Sequence, residues 1–144
     1  MMRLWAVFLC LVSLPGVAAE RRPVFPPGIK PAGPYAPGVS HGGYLYVSGQ
    51  GPIDPANDQL SYGSIEHETR LVLKNVKRIV EGSGASLRDV VKCNVYLRNG
   101  SDFAAMNAVY AEFFGEAKPA RTTIECKFAD SRMLVEIDCI AYVG

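Results

Sequence analysis

Arg121 and Glu136 are the residues of this 144-residue chain whose types and spacing point most directly to chemistry. Arg121 lies in Lys118-Pro119-Ala120-Arg121-Thr122-Thr123, and Glu136 in Leu134-Val135-Glu136-Ile137-Asp138. A guanidinium fork grips a carboxylate through two parallel hydrogen bonds. A glutamate beside it can position or activate a water. The pair suits a small acidic metabolite with a carbon open to hydrolysis. A surface salt bridge for Arg121 and a solvated strand position for Glu136 are the plain structural alternatives.

The elements that must position the pair follow from periodicity. Residues 20–33 hold much of a proline-rich stretch and read as an extended arm, because proline removes backbone donors. Tyr35–Ser40 and Tyr44–Gln50 read as strands around a His41-Gly42-Gly43 turn. A turn-rich loop then runs to Gly63. Ser64 is a helix N-cap with Glu66 and Glu68 in the first turn, and Ile65, Thr69, Val72, Val76, Ile79 and Val80 recur at helical spacing. Asp89–Leu97 alternates as a strand. Ser101 or Asp102 caps a second helix with the stripe Phe103, Met106, Tyr110, Phe113 and Phe114, which Gly115 closes. Two last strands fall near Arg121–Phe128 and Met133–Tyr142, joined by a short polar turn at 129–132. The order ββαβαββ predicts an α+β fold, a two-layer mixed sheet with two helices on one face.

On the last strand, Val135, Ile137, Cys139 and Ala141 are expected to face the helices, and Glu136, Asp138, Ile140 and Tyr142 to face away. Tyr44, Tyr46 and Tyr96 join that second face, which is too apolar for water and too polar for a core. Such a surface belongs to a subunit interface. Arg121 and Thr123 share one face of their strand, and Arg121 is expected beside Glu136 on the side away from the helices.

Residues 1–19 have the layout of a secretory signal peptide: Met1-Met2-Arg3, an apolar run from Leu4 to Val12, then Val17-Ala18-Ala19 before Glu20. An exported chain without a membrane anchor is expected, periplasmic in a two-membrane bacterium and otherwise secreted. Beyond it stand Cys93, Cys126 and Cys139, which read as buried thiols and allow at most one internal disulfide. The 129–132 turn would leave Cys126 and Cys139 roughly 13 Å apart, beyond the ~7 Å limit on Cα separation. A net charge of +1 with no basic run argues against a nucleic-acid surface. His41 and His67 complete no zinc-site spacing, and neither a Ser/His/Asp set nor a glycine-rich phosphate loop is recognisable.

Several ordered motifs remain: Gly33-Pro34-Tyr35, Val47-Ser48-Gly49-Gln50, Leu73-Lys74-Asn75-Val76, the run Asn107 to Phe114, Pro119-Ala120-Arg121, and Val135 to Ala141. Through them residues 34–144 resemble the Rid (YjgF-type) family of enamine/imine deaminases. The resemblance implies a chorismate-mutase-like fold, a homotrimer with its sheets facing inward, and metal-free sites without cofactor in clefts between subunits. It implies that Arg121 binds the carboxylate of an imine or keto acid and Glu136 orients water, with Tyr35, Gly49 and Asn107 in the pocket. Many relatives carry cysteine where this chain has Thr123; the family uses chiefly the backbone there. The implied activity is hydrolysis of 2-imino acids to 2-keto acids and ammonia. A non-catalytic module that binds small carboxylates is the alternative.

Overall fold

The computed structural model describes residues 20–144; the expected signal peptide lies outside them. Strands β1 (Arg22–Val24), β2 (Gly38–His41), β3 (Tyr44–Gln50), β4 (Ile53–Asp54) and β5 (Gln59–Leu60) precede helix α1 (Ile65–Gly82). Then come β6 (Val90–Leu97), α2 (Phe103–Phe114), β7 (Ala120–Glu125) and β8 (Val135–Tyr142). Six strands form one mixed sheet in the order β1-β2-β3-β8-β6-β7, with β6 and β7 parallel, while β4 and β5 form a small hairpin. Among the described residues no helix is long and apolar enough to cross a membrane.

Local chemistry accounts for the boundaries. The β2–β3 turn is Gly42-Gly43, with φ of +59° and +80°, the left-handed region that a two-residue hairpin needs and glycine adopts freely. The strand expected from Tyr35 begins only at Gly38, because the Tyr35 N–H donates to the Gly33 carbonyl in a tight turn. The edge strand is instead β1, in the arm, where Pro23 is tolerated. Helix α1 starts where expected: the Ser64 hydroxyl accepts from the His67 N–H. Its buried stripe, including Val72, Val76, Ile79 and Val80, packs against Leu45, Val95, Ile137 and Ala141 to form the core. A 3-10 turn, Gly100–Asp102, leads into α2, and Asp102 makes no side-chain cap there. Phe103, expected in the buried stripe of α2, is exposed; Val109 is buried in that helix instead.

Strand β8 alternates as its sequence predicts, with Val135, Ile137, Cys139 and Ala141 buried. The expected β7–β8 hairpin does not form. Strand β6 lies between them, parallel to β7 and antiparallel to β8. The physical reason is the β6–α2–β7 unit, in which a helical crossover returns the chain beside and parallel to its starting strand. Residues 126–134 then carry the chain to the other side of β6.

Glu68, read from sequence as a first-turn helix residue, is fully buried. Its carboxylate accepts from the Gly63 N–H at 3.2 Å and the Leu134 N–H at 2.7 Å, tying the entry of α1 to the start of β8. Glu68→Gln replaces one acceptor oxygen with a donor facing an N–H. We expect a loss of about 2 kcal/mol, measured by urea unfolding at fixed protein concentration. An unchanged midpoint would show that the two N–H groups find other partners.

Candidate active site

The six candidate residues fall into two groups on opposite faces of the sheet. The first group is built on β7 and α2. Arg121 is the register partner of Cys93, and Thr123 of Val95, so both lie on the helix side. This corrects the expectation that Arg121 shares the outer face with Glu136. The parity within β7 was legible, but its absolute face depends on the neighbouring strand, which is β6 and not β8.

The Arg121 guanidinium carbon stands 4.6 Å from the centroid of the Tyr110 ring and 5.6 Å from that of Phe103. These rings attract the cation through their π faces and fix its plane. Arg121 forms none of the salt bridges found among the described residues, so the surface ion pair weighed from sequence is not made. The guanidinium opens on a cavity of about 440 Å³ lined by Asn107, Tyr110, Ala111, Phe114, Lys118 and Arg121 among others. Asn107 and Tyr110 are three residues apart on α2, which puts them on one helix face. Tyr110 is a core residue, as the α2 stripe predicts, and it also lines this cavity, a role the stripe does not announce for it, nor the sequence for Lys118. That three-residue spacing from Asn107 was the available signal for Tyr110. The Thr123 hydroxyl is buried and has no hydrogen-bond partner among the described residues.

The second group is built on β3 and β8. A register shift between Val47 and Gln50 bends β3 where it passes β8. There Gly49 lies against the Glu136 carboxyl group: a Cβ at residue 49 would overlap Oε1 and come within 2.8 Å of Cδ. Only glycine leaves the carboxylate its place. The Ser48 hydroxyl donates to the Ala36 carbonyl at 2.7 Å, and the Ser48 N–H to that of Pro37, which brings the Tyr35 segment alongside Gly49. Tyr35 itself is exposed.

Glu136 is half-buried, and its pKa is raised, first by burial and then by the charge of Asp138. Asp138 is differently provided for. Asn94 donates to one of its oxygens at 2.8 Å and the Tyr96 hydroxyl to the other at 2.9 Å. Glu136 makes no hydrogen bond of this kind among the described residues, which leaves a carboxylate suited to accepting a proton from water.

One strand, β6, separates β7 from β8, and Arg121 is level with Cys139, three residues along β8 from Glu136, so the two backbone positions are about 14 Å apart and their side chains lie on opposite sides of the sheet. A single small ligand cannot touch both within one chain. Around the second group the outer face carries Tyr44, Tyr46, Ile124 and Tyr142, all 40–50% exposed. These large apolar side chains lie on the face expected to meet another subunit.

Comparison with known proteins bears on the fold and the family. The family model described as endoribonuclease L-PSP matches residues 27–143. A RutC family protein of Pyrococcus horikoshii is 49% identical over 113 residues, covering 78% of this chain and 90% of its own length. The crystal structure of YyfA from Yersinia pestis, described as a protein of unknown function of the conserved Rid family, superposes with a TM-score of 0.81 at 32% identity, covering 86% of this chain and all of its own. Escherichia coli TdcF, solved with bound serine, gives a TM-score of 0.76 at 32% identity, covering 85% and 99%.

Proposed function

Starting from the chain's membership of the Rid/YjgF (L-PSP) family, we propose that it hydrolyses reactive 2-imino acids to 2-keto acids and ammonia at sites completed between subunits of a homotrimer. One observation carries the reading. Arg121, held by aromatic rings and in no ion pair among the described residues, opens on a cavity beside Asn107, while Glu136, a carboxylate with raised pKa, lies on the opposite face.

Packing the outer face of one copy against the β7 edge of another brings the two halves together. Arg121 of one subunit binds the substrate carboxylate in a bidentate grip. That fixes the imine carbon and converts an encounter with water into a positioned attack. Glu136 of the neighbouring copy takes a proton as the water oxygen bonds to C2. Attack on the nitrogen-protonated imine gives a neutral carbinolamine; Glu136 returns its proton to the nitrogen, the C–N bond breaks, and ammonia leaves as the hydroxyl gives its proton back to Glu136 and the C=O bond forms. Thr123 supplies its backbone at the position where relatives often carry cysteine, so the grip needs no thiol. The nuclease reading in the family model's description has less support here, since a net charge of +1 offers little counterion release on a polynucleotide.

The bound serine of TdcF favours a second reading, a module that binds small carboxylates without turning them over. Mixing separates the two. Arg121→Ala and Glu136→Gln subunits, each inactive alone, are unfolded together and re-associated. Equal mixing gives about a quarter of the sites an intact Arg121 facing an intact Glu136. Ammonia release from an enzymatically generated imine should return to roughly that fraction of wild type. Wild-type protein that binds a keto acid but releases no ammonia supports the binding module. No recovery on mixing two separately inactive variants overturns the shared site.

A further inference from the structure

Two thiols outside the proposed chemistry lie in an unusual position. Cys93 on β6 and Cys139 on β8 are directly opposed in the antiparallel register. Both side chains point to the helix side, both are buried, and their sulfurs are 2.6 Å apart. Directly opposed residues in such a pair hold their Cα atoms about 4.5–5.5 Å apart. That falls within the ~4.4–6.8 Å range that a disulfide spans, so closure needs no movement of the strands. Cys126 lies beyond the end of β7 and is only half-buried, in contrast to the expectation of three buried thiols.

We infer that Cys93 and Cys139 are a site of oxidative modification, closing to a single cross-strand disulfide that ties β6 to β8 directly beneath the Arg121 platform. The oxidant class is a small disulfide such as glutathione disulfide. The Cys93 thiolate attacks one of its sulfurs and releases one thiol. The Cys139 thiolate then attacks the Cys93 sulfur of the mixed disulfide and releases the second. The two protein sulfurs lose two electrons and two protons, and the oxidant's sulfur–sulfur bond is reduced to two thiols.

In the folded chain the two thiols differ in acidity. Hydrogen bonding from Cys139, then Tyr110, and the charge of Arg121 lower its pKa, against the effect of burial. Cys139 is pushed up by Cys93 and by burial. Because both sulfurs are inaccessible in the folded chain, exchange takes place before the helices close over the sheet. The finished bond is then screened from reductants. It also adjoins the site: the Tyr110 hydroxyl is buried without a partner of full hydrogen-bond geometry, and the Cys93 sulfur is the polar atom beside it. This inference does not depend on the proposed reaction.

The test uses the full chain, refolded from urea in a glutathione/glutathione disulfide buffer. It is then quenched in acid, denatured, alkylated without reduction and digested for mass spectrometry. The expected result is alkylated Cys126, with the Cys93 and Cys139 peptides joined in one species that separates on reduction. Closing 46 residues of chain should raise the thermal midpoint of the oxidised protein above that of the reduced by about 10 °C. The Cys139→Ala midpoint should be the same whether the protein is refolded with or without glutathione disulfide. Full alkylation of both Cys93 and Cys139 without reduction overturns the inference. A bond from Cys126 to either one, or equal midpoints for wild-type protein refolded with and without the glutathione disulfide, overturns it as well.

Discussion

Arg121→Ala should lower kcat/KM for imine hydrolysis by about 10²- to 10³-fold while the chain stays folded. The estimate is the loss of two charge-assisted hydrogen bonds to the substrate carboxylate, about 1.5–3 kcal/mol each before partial replacement by water. The fold should survive because Arg121 makes no salt bridge among the described residues and its side chain is only half-buried. What disappears is its contact with the Tyr110 and Phe103 rings, a small contribution at a partly exposed position. Arg121→Lys should recover only part of the activity, since an ammonium is a point charge without the planar fork. Ammonia release from a generated imine, with circular dichroism and sedimentation on the same samples, makes the measurement. Wild-type turnover by the alanine variant would remove the carboxylate grip from the mechanism.

Glu136→Gln should reduce kcat by about 10²- to 10⁴-fold, the range for loss of a positioned general base. KM should change little, because the glutamine keeps the shape beside Gly49 and Arg121 still holds the carboxylate. The wild-type rate should fall on the acid side with a midpoint above the ordinary glutamate value of 4.5, since burial and Asp138 both favour the protonated form. Stability moves the opposite way. A carboxyl whose folded pKa is raised contributes its full stability below the unfolded value and loses it as pH rises through the folded value. At neutral pH the glutamine variant, which carries no desolvated charge, should therefore melt at or above the wild-type temperature. That advantage should vanish in acid. A variant that is both inactive and less stable at pH 7 would mark Glu136 as structural.

Much of this arrangement was legible before any coordinates. Ser64 and the spacing from Ile65 to Val80 specify α1, and the alternation from Val135 to Tyr142 specifies both faces of β8, because these signals are local. The Arg121–Thr123 parity was equally readable. Strand order was not. Nothing in residues 126–134 distinguishes a hairpin from a passage around the end of β6, and that passage decides which face Arg121 occupies. Glu68 was missed for a similar reason. Its partners are backbone N–H groups of Gly63 and Leu134, and no residue pattern announces a backbone donor.

The core described above is closed by one chain alone: β3, β6 and β8 against α1, with Leu45, Val95 and Ile137 already sealed from water. Folding can thus run to completion as a first-order event. In the proposed trimer the tyrosine-bearing outer face would find its cover only in a later, second-order encounter whose rate scales with protein concentration. Between the two events each copy would have a finished interior and, on either side of its sheet, one half of the proposed site.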